Sequence, residues 1–359
     1  MAKRKGSVTI RHVAEDAGVS HQTVSRVINK QPNVRPAVKD KVLRSIEKLG
    51  YVPSIAAQRM GGSRSYLILA LNDRTRTIED WQLRQGTDWI DQMLYGAVMG
   101  GEPSGYRLVV ELIDTHADHV EREISAALAA LSPDGVILTP PHSQNNKILD
   151  LLEDREIAVA RIGVDDDRPG IMLTMDDERA ARLATEHLAE LGHRSIGFIA
   201  GSPEYAISSW RVDGWRKAME SLGFEHGGLL EWGDFSAESG HAAAGRLFDR
   251  GERVTAIIAS NDQMALATLR EANARGLAVP RDLSLVSFDD TPMVRLAVPP
   301  LTAIDQPIAE VSAEAIRLLI EAKAGKPQKS KSTEPIVIPA RLTLRHSTAA
   351  PGNAVPQES

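Results

Sequence analysis

Residues 8–28 read VTIRHVAEDAGVSHQTVSRVI, and this stretch decides the fold of the N-terminal region. Thr9 can cap a short helix whose apolar residues recur at helical spacing. Gly18 can end that helix, because glycine accepts the left-handed backbone of a tight exit. Ser20 can cap a second helix directly afterwards. The pattern predicts two helices joined by a short turn, which is a helix-turn-helix.

The second helix has two faces of different character. Val24, Val27 and Ile28 share one face and are expected to pack inward. The opposite face carries His21, Gln22, Ser25 and Arg26. Gln22 can both donate and accept at an adenine edge, and Arg26 can donate two hydrogen bonds to guanine. We therefore predict that this face enters the major groove of DNA, the alternative being an ordinary solvated helix face.

A third helix and a linker follow. Pro36 suits the first position of a helix, where its missing N–H costs little, and Gly50 suits the end. The apolar residues between them that close a small core are Val38, Val42, Ile46 and Leu49. Residues 54–63 read SIAAQRMGGS, a helix-prone segment that runs into a linker and is too short to be stable alone.

Charge is distributed unevenly along the 359 residues. The net charge is −6, but residues 1–63 hold twelve Lys and Arg against four Asp and Glu, a net of +8. The remainder holds 30 basic and 44 acidic residues, a net of −14. A basic head on an acidic body is expected when only the head contacts phosphates.

Several classes of protein are disfavoured by what the sequence lacks. It has no cysteine, which excludes disulfides and thiolate metal sites. No apolar run is long enough for a membrane span and none follows the basic N-terminus, so we expect no secretory signal and a cytoplasmic protein. A phosphate cradle of the GxGxxG type after the first strand and the motifs HExxH and GxSxG are missing. We therefore expect no cofactor, no metal and no enzymatic activity.

From residue 66 the chain alternates short apolar runs with helical patterns. The runs are 66–71, 107–113, 135–139, 157–162, 171–174, 195–200, 255–259 and 283–288, and the helical patterns include 118–131, 177–192, 210–222, 237–249 and 262–275. This alternation predicts an α/β body of parallel sheets flanked by helices. The strands are too many for a single domain of this length. Two similar lobes that split near residue 164 account for them better.

Ligands in open α/β sheets bind at the carboxyl ends of the strands, so the residues just after each run are candidates for a binding site. These residues include Asn72, Asp73, Arg211, Ser260, Asn261, Asp262, Asp289 and Asp290. Taken alone, Asn261, Asp262 and Asp290 are better explained as N-caps of the helices that follow.

The chain resembles the lactose-repressor (LacI/GalR) family over nearly its whole length. The resemblance is carried by residues 8–29, 50–53, 233–240, 260–265, 288–291 and 299–302. It implies a helix-turn-helix domain over 7–53, a hinge and linker over 54–63, and a body of two periplasmic-binding-protein-like lobes over 64–346. Within the body, lobe 1 is expected at about 64–164 plus 304–325, lobe 2 at about 165–292 plus 334–346, and a disordered tail at 347–359.

The resemblance also implies a dimer that binds a palindromic DNA operator, with a hinge helix at 54–61 that folds on DNA. The residues expected to contact DNA are Thr9, Ser20, His21, Gln22, Thr23, Ser25, Arg26, Asn29 and Met60. Met60 takes the position of an apolar residue, usually leucine in the family, that wedges into the minor groove and kinks the duplex. No leucine heptad follows the body, so we expect a dimer and not a tetramer.

In the body the resemblance implies an effector site in the cleft between the lobes. The residues expected there are Asn72, Trp81, Arg211, Phe235, Asn261, Asp289 and Gln306. Arg211, Asn261 and Asp289 would clamp the hydroxyls of an effector, and Phe235 would stack on a sugar ring. Residues 162–164 depart from the family, whose members carry an aspartate there.

The segment 73–93 is longer and more charged than the family's first strand-to-helix turn. We expect a surface loop that lies over the mouth of the cleft. Our hypothesis is that Trp81 or Arg84 contributes to ligand specificity, whereas Trp89 packs under the following helix.

The sequence therefore predicts a sequence-specific transcription regulator of the repressor type, controlled by a small molecule, for which the resemblance favours a sugar. One alternative is a sugar-binding protein of the transport type without a DNA function, and a second is a repressor controlled by a purine corepressor. A third is an enzyme with a regulatory head. The basic head and the missing secretory signal count against the transport protein.

Overall fold

The computed structural model describes residues 8–28, 33–51, 64–84, 86, 88–115, 118–250, 254–325 and 334–352. The chain divides into two compact units, Met1–Tyr66 and Leu67–Ser359, which are called the head and the body below.

The head is a three-helix domain. Its helices are α1 Ile10–Ala17, α2 His21–Ile28 and α3 Pro36–Leu49. Gly18 and Gly50 end α1 and α3 with backbone φ angles of +65° and +60°, so both predicted helix ends are confirmed. The buried core consists of Val13, Ala14, Ala17, Val24, Val27, Val42 and Tyr51.

A polar contact joins α1 to α3 in the head. Ser45 donates its hydroxyl to the Asp16 carboxylate at 2.5 Å, and the Lys48 ammonium lies 2.6 Å from the same carboxylate. Hydrogen bonds from Lys48 and then Ser45 lower the pKa of Asp16. This contact therefore holds α1, the helix before α2, against α3, the helix that supports α2.

The described part of the body contains the following helices and strands. The strands are β1 Leu67–Asp73, β2 Arg107–Ile113, β3 Gly135–Leu138, β4 Val159–Ile162, β5 Ile171–Thr174, β6 Ile196–Ala200, β7 Leu230–Trp232, β8 Ala256–Ala259, β9 Ser284–Asp289, β10 Thr302–Asp305, β11 Ile336–Val337 and β12 Arg341–Thr343. The helices are α4 Arg74–Leu83, α5 Asp88–Gly101, α6 Val120–Leu131, α7 Asn146–Asp154, α8 Asp177–Glu190, α9 Ala206–Ser221, α10 Ala237–Phe248, α11 Asp262–Ala274, α12 Pro292–Arg295 and α13 Ile308–Lys323.

The strands form two six-stranded sheets, one in each lobe. The sheet of lobe 1 has the order β11-β5-β4-β3-β1-β2, and the sheet of lobe 2 has the order β12-β10-β9-β8-β6-β7. All neighbouring pairs are parallel except β10 and β12. The central strands are buried on both faces, as expected for parallel strands covered by helices. The predicted α/β fold of two lobes is confirmed.

The chain crosses between the lobes three times, and two expected boundaries were wrong. β5 at 171–174 pairs with β4, so lobe 1 continues past residue 164 to about 175. β10 at 302–305 pairs with β9 and belongs to lobe 2, and the chain returns to lobe 1 only at α13. β11 then lies in lobe 1 and β12 in lobe 2. The short apolar runs do not reveal which sheet each strand joins, because both sheets bury their strands equally.

The segment 73–93 was expected to be a loop and is mostly helical. Asp73 accepts a hydrogen bond from the Arg76 N–H at 2.7 Å and so caps α4. The sequence RTRTIEDWQL of α4 lacks a sharp apolar stripe, and among its residues only Thr77 is buried. For this reason helical periodicity did not reveal it.

A disordered tail was expected from residue 347, and this was wrong for residues 347–349, which form hydrogen bonds with lobe 2. Ser347 accepts a hydrogen bond from the Thr302 N–H at 2.8 Å and donates its hydroxyl to the Leu285 carbonyl at 2.6 Å. His193 donates from Nε2 to the Ala349 carbonyl at 2.8 Å. Residues 347–349 are therefore part of lobe 2, because they bond to the first residues of β9 and β10.

Candidate functional site

The outward face of α2 carries the predicted DNA-contacting residues. Val24 and Val27 are buried, whereas His21, Gln22 and Arg26 are exposed. The Ser20 hydroxyl accepts a hydrogen bond from the Thr23 N–H at 3.1 Å and so caps the helix. The predicted cap is confirmed. The predicted division of the two faces is confirmed for Val24, Val27, His21, Gln22 and Arg26, whereas Ser25 and Ile28 are both partly buried.

The other predicted DNA contacts differ in where they lie. Thr9 is exposed at the start of α1, and its N–H donates to Nδ1 of His12 at 3.1 Å. Thr23 and Ser25 are partly buried on α2. Asn29, Met60 and the expected hinge helix at 54–61 lie outside the described residues.

The body holds a cavity of about 420 Å³ between its two lobes. Lobe 1 contributes Asn72, Asp73, Arg76, Thr77, Asp80, Asp88, Trp89, Thr139, Pro140, Ile162 and Gly163, and lobe 2 contributes Tyr205, Ile207, Arg211, Phe235, Ser260, Asn261, Asp262, Asp289, Asp290, Thr291 and Arg295. Asn72, Ser260 and Asp289 lie at or just after the carboxyl ends of parallel strands, where such folds bind ligands. The volume suits a small-molecule ligand.

Six of the residues predicted for the effector site line this cavity, and one does not. Those that line it are Asn72, Arg211, Phe235, Asn261, Asp289 and Gln306. Trp81 was predicted to join them, but its side chain is 50% exposed and it is not part of the lining. α4 turns Trp81 towards solvent and presents Arg76, Thr77 and Asp80 to the cavity instead. Trp89, which was expected only to pack under a helix, also lines the cavity.

Arg211 is held rigidly in the wall of lobe 2. Its Nε atom donates to Asp177 at 2.8 Å, and its Nη1 atom donates to the Ser260 carbonyl at 2.5 Å. The guanidinium also lies 4.6 Å from the centroid of the Phe288 ring. Arg211 and Asp177 are both 2% exposed, so this is a buried ion pair whose geometry is fixed before any ligand binds.

Asn261 combines the two roles that the sequence left open. Its Oδ1 atom accepts the Met264 N–H at 2.9 Å, which makes it the N-cap of α11. Its Nδ2 atom donates to the Phe235 carbonyl at 2.8 Å and fixes the loop that carries the Phe235 ring. The Phe235 ring packs edge-to-face on Tyr205 with centroids 5.5 Å apart. Asn261 therefore positions the aromatic wall while it lines the cavity.

Two carboxyl groups of lobe 2 have raised pKa values. Burial is the largest cause for Asp262 and for Asp289, and repulsion from Asp289 adds to the shift of Asp262. Asp262 accepts hydrogen bonds from the Ser287 hydroxyl and from the Thr291 N–H. Gln306 donates from Nε2 to Asp289 at 2.9 Å, so the two predicted residues contact each other. Burial favours the protonated, neutral form of such acids.

Arg76 bridges the two lobes. Its Nη1 atom donates to the Asp234 carbonyl at 2.7 Å and its Nη2 atom donates to the Phe235 carbonyl at 3.0 Å. Its Nε atom donates to Asp80 at 3.2 Å within α4. Neither Arg76 nor Asp80 was predicted, although both lie in the segment that the sequence marked as unusual.

The described residues contain neither a cluster suited to a metal ion nor a membrane-spanning helix. No group of three or more His, Asp or Glu side chains there could hold a metal ion. None of the described helices is long and apolar enough to cross a membrane.

The capped helix-turn-helix of the head and the cleft of the two-lobed body define a DNA-binding transcription regulator with a ligand-binding body. Residues 9–54 match "Bacterial regulatory proteins, lacI family", and residues 185–348 match "Periplasmic binding protein-like domain". The HTH-type transcriptional regulator DegA of Bacillus subtilis (strain 168) is 32% identical over 346 residues, which are 95% of this chain and 98% of that protein. The chain belongs to the lacI family of bacterial regulatory proteins.

Solved structures agree with this assignment. The transcriptional regulator CelR in complex with cellobiose has a TM-score of 0.69 at 30% identity and covers 95% of this chain and 99% of its own. The lac repressor dimer bound to operator and an anti-inducer has a TM-score of 0.75 at 28% identity, with 96% of this chain and 100% of that chain covered.

Proposed function

We propose that the chain binds a palindromic operator as a homodimer and that a small polyol, such as a sugar, controls this binding from the cleft. The observation that carries the proposal is the capped helix α2, which buries Val24 and Val27 and exposes His21, Gln22 and Arg26. These exposed side chains have the donors and acceptors that read base edges. The related lac repressor has been seen as a dimer on its operator.

The cleft supports a polyol as the ligand. Fixed polar groups of Arg211, Asn261 and Gln306 line the same cavity as the Phe235 ring. Vicinal hydroxyls need such a mixture of donors and acceptors, and the apolar face of a sugar ring needs an aromatic surface. The related regulator CelR binds cellobiose. We propose that the cleft binds its ligand without transforming it and that the protein works in the cytoplasm, where its operator lies.

An exposed apolar strip on α5 supports the homodimer. Leu94, Tyr95, Val98 and Met99 are between 39% and 57% exposed. Their spacing places them on one side of the helix, and such a contiguous apolar surface usually marks an interface. A second copy of this chain is the proposed occupant, because the related lac repressor is a dimer.

Control by the ligand requires that it bind two arrangements of the lobes with different affinities. Arg76 of lobe 1 already donates hydrogen bonds to the Asp234 and Phe235 carbonyls of lobe 2. A ligand in the cleft would therefore strengthen or replace these contacts between the lobes. The ligand shifts operator affinity only by as much as it discriminates between the two arrangements.

The test is a selection of operators from random duplex DNA, followed by two arginine substitutions in the head. Arg26→Ala should relax the preference at one base position and weaken binding to the selected operator by about 1–3 kcal/mol. Arg44→Ala is the matched control, because Arg44 is also exposed but lies on α3, where its Nε atom donates to the Asp40 carbonyl. A uniform loss on all sequences in both variants would contradict base reading by α2.

A further inference from the structure

The lining of the cleft cavity carries an excess of acidic groups. Seven aspartates and three arginines line it. Burial raises the pKa of Asp262 to about 8, so that acid is counted as neutral near pH 7, and six aspartates remain against three arginines. A surplus of carboxylates in an enclosed site favours cationic over neutral or anionic ligands, because the low local dielectric strengthens each charge interaction.

The three arginines are already occupied by partners of the protein. Arg211 is paired with the buried Asp177, which lies outside the lining. Arg76 is paired with Asp80 at 3.2 Å, and its other guanidinium N–H groups donate hydrogen bonds to backbone carbonyls of lobe 2. Arg295 lies 3.3 Å from Asp290. Each of these cations therefore already has a carboxylate partner. Arg211 also attracts Asp289, but none of the three arginines forms an ion pair with Asp88 among the described residues.

Two of the remaining acids lie on opposite walls of the cavity. Asp88 begins α5 in lobe 1, and Asp289 ends β9 in lobe 2. In the described part of the chain neither forms an ion pair. Burial raises the pKa of Asp88. Burial is also the largest cause of the raised pKa of Asp289; attraction to Arg211 opposes it, and repulsion from Asp88 adds to it. Two like charges that repel each other across a cavity leave room for a positive charge between them.

The aromatic side chains of the cavity point to the same kind of ligand. Trp89 lines it from lobe 1, and Tyr205 and Phe235 line it from lobe 2. Aromatic faces attract cations, and walls that combine such faces with carboxylates are typical of sites for organic ammonium groups. Ser260 also lines the cavity, is fully buried, and has a hydroxyl without a hydrogen-bond partner in the described structure. It is suited to a ligand hydroxyl.

A metal ion is a poor explanation for the acidic surplus. Among the described residues no three carboxylate or imidazole groups come close enough to share an ion. The acids are instead spread around a volume of about 420 Å³, which suits an extended molecule with one positive end.

We infer that the effector carries a protonated amine, and that an amino sugar is its chemical class. The inference rests on the proposed function, since it specifies the ligand of the same cleft. The amine lies between Asp88 and Asp289, and the ring is covered by Trp89 and Phe235.

The experiment is a calorimetric titration of the full chain with matched sets of ligands near pH 7. Each set contains a neutral sugar, its 2-amino derivative and the N-acetylated form of that amine. The monosaccharide sets are based on glucose, galactose and mannose. A disaccharide set compares the disaccharides of glucose with those of glucosamine. At least one amine should bind about tenfold or more tightly than its neutral and N-acetylated partners. Neutral members that bind as well as the amines, or a panel in which no amine binds, would overturn the inference.

A pair of variants locates the amine. Asp88→Asn should reduce the preference for the amine by about tenfold, whereas Asp91→Asn, which removes the same charge from an exposed position of α5 outside the cavity lining, should leave it unchanged. If the Asp88→Asn variant keeps the preference for the amine, the placement of the amine beside Asp88 is overturned. If that variant does not fold, the titrations of the wild-type chain alone decide whether the ligand is an amine.

The operator selection described above uses no ligand, so the two proposals fail separately. Preference for a neutral sugar would overturn the amine and leave the regulator intact. Absence of any operator preference would overturn the regulator and leave the measured ligand preference standing.

Discussion

The two walls of the cleft use their polar side chains in different ways. In lobe 2, Arg211 is paired with Asp177, and Asn261 both caps α11 and holds the Phe235 loop. In lobe 1, Arg76 reaches across to the other lobe, and Asp88 faces the cavity without an ion pair among the described residues. Lobe 2 therefore supplies a rigid polar frame, whereas lobe 1 supplies a bridge between the lobes and an acid without an ion pair among the described residues.

This difference has a measurable consequence. Substitutions in the wall of lobe 2 should lower the free energy of unfolding, because they break contacts that hold the lobe together. Substitutions in the wall of lobe 1 should leave the unfolding free energy nearly unchanged and alter ligand binding or closure of the lobes.

The largest effect is expected for Arg211→Ala. It leaves the Asp177 carboxylate buried without its cation, and breaking such a pair costs about 3–5 kcal/mol. Urea denaturation of the full chain measures the loss. The matched control is Arg216→Ala on the same helix, because Arg216 and Asp213 form a pair that is 39% and 44% exposed. The control should change the unfolding free energy by less than about 1 kcal/mol, and equal losses would contradict the rigid frame.

Gly201→Ala should displace the aromatic wall of lobe 2. A Cβ atom at residue 201 would lie 2.0 Å from Cζ of Phe235, so the ring must move. We expect a loss of stability of about 1–3 kcal/mol, as is usual for overpacking, together with weaker binding of any ligand that stacks on the ring. Gly227→Ala is the control, because no atom lies within 4 Å of its Cβ position. If both variants unfold at the same urea concentration, Phe235 is not held as described.

Asp262→Asn tests whether the buried acid of lobe 2 is neutral. Burial, and then repulsion from Asp289, raises the pKa of Asp262 to about 8 from its ordinary 3.8. The folded state therefore binds the proton more tightly, and the stability that Asp262 contributes is lost as pH rises from about 4 to about 8. The variant mimics the protonated form, so it should gain about 1 kcal/mol or more relative to wild type between pH 5 and pH 8.5. A pH-independent difference between variant and wild type would show that Asp262 is ionised throughout.

The smallest effect on stability is expected for Arg76→Ala in lobe 1. It removes two hydrogen bonds between the lobes, each worth about 1 kcal/mol in closure, while the core of neither lobe is touched. Hydrogen exchange should accelerate several-fold in the loop around Asp234, with the urea midpoint nearly unchanged. Arg84→Ala, at an exposed position just after α4, is the control and should leave exchange in this loop as it is. Unchanged exchange in both variants would show that Arg76 does not bridge the lobes in solution.

Local patterns predicted much of the fold. The runs 107–113 and 171–174 coincide with β2 and β5. β5 is buried along its whole length, as a continuously apolar sequence predicts for a strand covered on both faces. The caps at Ser20 and Gly18 likewise follow from local backbone chemistry. The lobe to which β5 belongs did not follow, because the choice between two equally apolar sheets depends on long-range pairing.

The predicted residues that line the cavity lie mostly on the wall of lobe 2, with Asn72 on the wall of lobe 1. Phe235, Asn261 and Asp289 of lobe 2 belong to stretches that resemble the lacI family, so their positions in the cleft followed from the resemblance. The bridge from Arg76 joins residues 159 apart in the sequence and lies on a helix without a clear amphipathic pattern. No local rule places such a side chain, and Trp81 was chosen in its place.

The assignment of α2 to base reading is tested most directly by two affinities of the full chain. One is its affinity for a selected palindrome, and the other is its affinity for a scrambled duplex of the same composition. At one stated salt concentration the palindrome should bind about 10³-fold or more tightly. Equal affinities that fall in parallel as salt is raised would mean that the head contacts only phosphates, and the assignment of His21, Gln22 and Arg26 to base reading would be wrong.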